Sequence, residues 1–282
     1  MEIETPSGVV LHVRASGPVS GAGVLLLHGG GQTGASWGRT ADALASRGHR
    51  VWAPDLRGHG ESGRAPGGDY GIDAFVGDGC ALIDALSGET SGRAPVVVGA
   101  SLGGIVSLLA ASERARPMRA LVLVDIALRA RGEGVERIVG FMRSTQDGFD
   151  SLDDARAAIA RYLPHRRAAP TIDGLHRVLR RREDGRWMWH WDPLLLERLE
   201  VDAILDGARL HDAARALEVP LLLLRGGHSD VVSEELAREL VSIAPRARWQ
   251  DVREVGHMVA GDDNDAFTTA VLAFLDQLDQ RG

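Results

Sequence analysis

Residues 95–106 read Pro95-Val96-Val97-Val98-Gly99-Ala100-Ser101-Leu102-Gly103-Gly104-Ile105-Val106. The valine run after Pro95 has the length and β-branched character of a buried strand, and the apolar pattern resumes from Gly104 to Ala111 with helical spacing. Gly-Ala-Ser-Leu-Gly must therefore be a sharp turn from strand to helix. Such a turn brings the two elements so close that only small residues fit beside the serine, and it lifts the hydroxyl above the sheet. Ser101 is on these grounds the candidate nucleophile.

Outward from this turn, strand-length apolar runs at 9–14, 24–28, 50–54, 96–99, 120–125, 221–225 and 249–253 alternate with amphipathic segments at 37–47, 72–86, 102–112, 234–243 and 266–278. The alternation predicts an α/β fold, a mostly parallel sheet flanked by helices on both faces. The beat fails between about 126 and 217, where helical patterns at 135–142 and 152–162 follow one another without a buried strand. We therefore expect a core made of residues 1–126 and 218–282 and an inserted, mainly helical cap of residues 127–217. The cap contains Trp187-Met188-Trp189-His190-Trp191, and in an extended segment the three tryptophans share one face. Trp37, Phe141, Met142, Trp187, Trp189 and Trp191 are candidate walls of a substrate pocket.

Composition narrows the function classes. The 282 residues carry a net charge of -7, with 44% hydrophobic and 25% charged residues, which suits one globular α/β domain with an insertion. The acidic balance argues against nucleic acid or anionic lipid as partner, since both require a concentrated positive field. No apolar run approaches the roughly 20 residues that span a bilayer, and residues 1–13 lack a secretory pattern, so a cytoplasmic location is expected. Cys80 is the single cysteine and falls on an apolar helical position, so it reads as a packing residue. All 32 basic residues are arginine. The ten histidines show no metal-ligand spacing and no glycine-rich nucleotide loop follows a strand, so neither metal nor cofactor is expected.

His28-Gly29-Gly30-Gly31 closes the strand at 24–28. Consecutive glycines let the main chain turn its N–H groups outward, as acyl-transfer enzymes require to hold the negative oxygen of the transition state. The backbone N–H groups of Gly30 and of Leu102, which follows the nucleophile, are assigned as the two donors.

These strings together resemble the α/β-hydrolase superfamily, and within it the small bacterial capped serine esterases, the haloperoxidase-like enzymes and the carbon–carbon bond hydrolases. The resemblance runs through nearly the whole chain and includes Asp55-Leu56-Arg57-Gly58-His59-Gly60-Glu61-Ser62, a structural loop in that superfamily, which makes His59 a scaffold residue. The superfamily places its cap after the sixth core strand and its triad in the order Ser, acid, His. Asp230, in Gly227-His228-Ser229-Asp230-Val231-Val232, and His257, in Glu254-Val255-Gly256-His257-Met258, match those positions. Asp125, ending the strand at 120–125, is the alternative acid, because some members carry it there.

The resemblance implies a serine hydrolase acting on a small ester-like substrate and water, as a monomer or homodimer. His257 would take the Ser101 proton, and the acid would fix its tautomer and stabilise the imidazolium. The same triad would serve a carbon–carbon bond hydrolase, a lactonase or a perhydrolase, and a small-ligand receptor without turnover is the alternative of a different class.

Overall fold

The computed structural model describes residues 1–114, 116–129, 132–163, 171–198, 207–252 and 265–280. Ten strands are formed among them: β1 (Glu2–Glu4), β2 (Val10–Ser16), β3 (Gly23–Leu27), β4 (Arg50–Pro54), β5 (Val96–Ala100), β6 (Ala120–Val124), β7 (Leu179–Arg181), β8 (Trp187–Trp189), β9 (Leu221–Gly226) and β10 (Ala247–Val252). Eight of them build one sheet in the order β1-β2-β4-β3-β5-β6-β9-β10. The pairs β1–β2 and β2–β4 are antiparallel, and from β4 to β10 the sheet is parallel. The expected strands are all present within one or two residues; β1, three residues long, carries no apolar alternation by which it could have been read.

The central strands β3, β5 and β6 are buried at every position, which is why they read as unbroken apolar runs and not as alternating ones. Their side chains feed two cores. Leu25, Leu27, Val97, Leu121 and Leu123 pack on one face with helices α2 (Ile72–Glu89) and α3 (Leu102–Ser112). Val24, Leu26, Val98, Val122 and Val124 pack on the other, against α1 (Gly38–Ser46) and the C-terminal helix Asp265–Asp279.

Between β6 and β9 the chain forms α4 (Gly132–Ser144), α5 (Leu152–Tyr162), α6 (Ile172–His176), the β7–β8 hairpin, α7 (Leu194–Arg198) and α8 (Gly207–Arg215). The segment has a core of its own around Phe149, Ile159, Leu175, Trp189 and Trp191. It is helical as expected, apart from the hairpin, whose three-residue strands are too short to show a period. Two helices follow β9: α9 (Glu234–Ile243) precedes β10, and α10 is the C-terminal helix Asp265–Asp279.

The turn between β5 and α3 is fixed by backbone contact. A Cβ on Gly99 would lie 2.4 Å from the Gly103 carbonyl oxygen, and one on Gly103 would lie 2.4 Å from that of Leu27. The helix can enter beside β3 only because no side chain stands between them. Gly103→Ala must push β3 and the loop after it away, and overpacking of this kind costs about 1–3 kcal/mol. We expect urea unfolding to show that loss, together with slower labelling of Ser101 by a fluorophosphonate; unchanged stability and labelling would contradict the close approach.

Candidate active site

Ser101 is the N-cap of α3 and stands at φ 47°, ψ −118°. Positive φ in a residue with a side chain is sterically costly and recurs at functional turns. The half-buried serine lies where three parallel strands end side by side. Leu27 of β3 is in register with Gly99, and Ala100 with Val124 of β6, so His28 follows on one side of Ser101 and Asp125 on the other.

On the β3 side, the Gly29 N–H donates to Gln32 Oε1 at 3.0 Å, and the Gly31 N–H donates to His59 Nε2 at 3.0 Å. Gly30 lies between two tethered amides. Among the described residues neither its N–H nor that of Leu102 has a hydrogen-bond partner. A Cβ on Gly29 would be 3.2 Å from Ser101 Cβ, which brings this loop against the nucleophile.

The tether depends on a neutral imidazole. His59 Nε2 accepts, so Nδ1 carries the proton and donates it to the Arg57 carbonyl at 2.9 Å. His28 does the same one step deeper, accepting the Leu56 N–H at Nε2 and donating from Nδ1 to the Gly29 carbonyl. The two rings are fully buried and meet edge to face at 5.0 Å. Burial, reinforced by His28, drives His59 down to about 3, and burial lowers His28 as well. His59 is thus a scaffold residue, as the sequence indicates. Asp55 holds the rest of its loop: its carboxylate accepts from Arg14, the Gly34 N–H and the Glu61 N–H. Arg57 is buried in a two-pronged pair with Asp78 at 2.6 Å.

On the β6 side the two candidate acids differ sharply. Asp125 is fully buried, at φ 49°. Its Oδ1 accepts the Gly226 N–H at 2.8 Å and its Oδ2 accepts the Ser229 hydroxyl at 2.5 Å. The Asp230 side chain is one-third exposed and turns to helix α4, where it pairs with Arg137. His257 lies outside the described residues.

The aromatic candidates separate in the same way. Met142 and Trp191 reach the oxyanion side: a Cβ on Gly31 would lie 3.1 Å from Met142 Cε and 3.8 Å from Trp191 Nε1. Phe141 stacks on Tyr162 with ring centres 4.2 Å apart, Trp189 meets Phe141 and Phe149 edge-on, and Trp187 lies against His176. Trp189 and Trp191 belong to one cluster against which Trp187 also packs, in keeping with a shared face. Trp37, grouped with the candidate pocket walls, is instead fully buried against Phe267 in the core with α1 and α10.

Three features escape the sequence reading: the Gln32 brace on Gly29, the Ser229 bond to Asp125, and the clasp by which Tyr70 donates to Asp192 at 2.8 Å while His59 and Trp191 form an antiparallel bridge. Ser229, His59 and Trp191 lay in strings already under consideration, but nothing in those strings signals the partners they find. Among the described residues no three His, Cys, Asp or Glu side chains converge to hold a metal, and no helix is long and apolar enough to cross a membrane.

Comparison with known proteins shows the family. The family model for serine aminopeptidase S33 hydrolases matches residues 20–264. An esterase of Mycobacterium tuberculosis is 29% identical over 279 residues, covering 96% of this chain and 87% of the esterase. An N-formylmaleamate deformylase of Pseudomonas putida is 27% identical over 263 residues, covering 91% and 89%. The crystal structure of an α/β hydrolase from Novosphingobium aromaticivorans superimposes with a TM-score of 0.76 at 26% identity, over 98% of this chain and 97% of that one.

The buried imidazoles make stability pH-dependent. The folded protein keeps His59 neutral down to about 3, whereas the unfolded chain takes up its proton below the ordinary 6.5. His59 therefore contributes stability that is complete above the unfolded value and is lost progressively as pH falls toward the folded one. Urea unfolding between pH 7 and pH 4 should show this decline, and His59→Gln, which retains an acceptor for Gly31 without titrating, should have a shallower slope. Equal slopes would refute the assignment.

Proposed function

Because the chain belongs to the serine aminopeptidase S33 family of α/β hydrolases, we propose that it is a serine hydrolase cleaving a carboxylic ester through an acyl-enzyme on Ser101, with His257 as base and Asp125 as the orienting acid. The observation that carries this reading is the convergence of a strained serine, two unbonded backbone N–H groups and a buried, hydrogen-bonded carboxylate at the ends of adjacent strands. The esterase relative supports the ester bond.

His257 accepts the Ser101 proton as Oγ attacks the carbonyl carbon. The oxygen becomes negative and draws hydrogen bonds from Gly30 and Leu102; losing one such donor costs about 3 kcal/mol in comparable sites. Collapse expels the alcohol, which takes the proton from His257, and water repeats the sequence to release the acid. Asp125 suits the carboxylate role better than Asp230, because a buried carboxylate keeps its full hold on an imidazolium, whereas one that is solvated and paired with Arg137 is largely neutralised. Residues 127–217 act as the cap, with Met142 and Trp191 as the walls nearest the oxyanion. The deformylase relative favours a second reading, in which the same machinery opens an amide-like bond.

Ser101→Ala should abolish turnover of 4-nitrophenyl esters with the thermal midpoint retained. Asp125→Asn, which favours the wrong imidazole tautomer, should lower turnover on the order of 10⁴-fold by analogy with serine proteases, and Asp230→Asn should change it little. A folded Asp125→Asn enzyme near wild type beside a crippled Asp230→Asn enzyme would return the acid to Asp230. In the cap, Met142→Ala should shift the preferred acyl length more than it alters acetate hydrolysis. Equal losses at all chain lengths would point to destabilisation instead.

A further inference from the structure

Resting on that reading, we propose that Ser229 is a positioning residue of the reaction, its hydroxyl holding the Asp125 carboxylate in the orientation that receives the catalytic histidine. A serine hydroxyl has one proton and two lone pairs. In this site Ser229 Oγ accepts the N–H of Val231 at 3.2 Å and that of Val232 at 2.9 Å, so both lone pairs are committed to the backbone and the proton has one direction left. That direction is Asp125 Oδ2, at 2.5 Å. With the Gly226 N–H on Oδ1 at 2.8 Å, each carboxylate oxygen has its own donor and the carboxyl plane cannot rotate.

The loop that presents Ser229 is itself fixed. The Ser229 N–H donates to the Gly226 carbonyl at 3.0 Å, and Val231 and Val232 are buried against Ala127 and Leu236. Asp125 is the last residue delivered by β6 and Ser229 is delivered by β9, and the two strands pair through Val124 and Leu224. The bond therefore couples the acid to the neighbouring strand, and its neighbour Asp230 is left to face the cap.

A turn-forming serine with no catalytic part would show the same bonds to Val231 and Val232, so the test must read coupling to Asp125. Ser229→Ala, Ser229→Thr and Ser229→Cys are made in the native enzyme, and Ser229→Ala also in the Asp125→Asn enzyme. The measurements are kcat and KM on 4-nitrophenyl butyrate and the rate of Ser101 phosphonylation by a fluorophosphonate, which reports nucleophile activation whatever the natural substrate. Loss of a hydrogen bond to a charged group predicts a fall of about ten- to hundredfold in kcat and labelling for Ser229→Ala, with KM unchanged. Threonine keeps the donor and should restore most of the rate; cysteine keeps the shape with a weak donor and should not, which secures the test if the alanine variant does not fold. In the Asp125→Asn background Ser229→Ala should cost almost nothing further. A severe Asp125→Asn defect with Ser229→Ala and Ser229→Cys near wild type, or with equal Ser229→Ala losses in both backgrounds, overturns the role of Ser229 alone. An active Asp125→Asn enzyme overturns the acid assignment beneath it.

Discussion

The site is organised around one backbone constraint, the positive φ of Ser101. Such a conformation costs about 1–3 kcal/mol in a residue with a side chain, and it persists because the glycines around it leave the chain no roomier path. Gly99 and Gly103 face each other across the turn, and Gly103 faces the carbonyl of Leu27 on the next strand. The contact that bends the nucleophile outward also docks α3 against β3, and so sets the glycine loop after β3 beside Ser101. The candidate nucleophile and candidate oxyanion donors are positioned by one event of packing, not by two independent ones.

What surrounds the serine is electrically quiet by design of burial. His28 and His59 are neutral, each with one nitrogen accepting a backbone N–H, and His59 and Gln32 occupy the amides on either side of the candidate oxyanion donor. A charged imidazolium there would lose its acceptor lone pair and release Gly31. Buried acceptors that cannot be reached by water or protons are the condition for holding one amide free, since an idle buried N–H is expensive unless a ligand arrives to use it.

The fold was legible because its central strands are apolar throughout and the turns between them carry glycine at the positions where contact forbids a side chain. The strained turn at Ser101 and the glycine loop beside it were legible for the same reason, as local sequence and local geometry coincide there. The burial of Trp37 and the surroundings of the two candidate acids were not. Trp37 follows the glycine loop closely, but a short helical turn carries it into the core with α1 and α10, a three-dimensional outcome that no spacing records. Asp125 and Asp230 both follow apolar strands, and only the side-chain environments separate them: one sealed between Gly226 and Ser229, the other drawn outward by Arg137.

That separation bears on how the segment between β6 and β9 is held. Arg137 lies on α4 between Gly134, where a Cβ would come within 2.9 Å of the Asp230 carbonyl, and Phe141, which stacks on Tyr162. Its guanidinium also lies over the Tyr162 ring, 5.5 Å from the centre. The loop after β9 thus faces two ways, with Ser229 turned in to Asp125 and Asp230 turned out to α4. On the other flank Trp191 bridges to His59 and Asp192 accepts from Tyr70. The segment between β6 and β9 is clasped on both flanks by the loops that carry the site's supporting residues. A carboxylate paired with Arg137 surrenders part of its charge to that arginine, so the proposed acid after β6 would leave the loop after β9 to hold α4 against the strand ends beneath it.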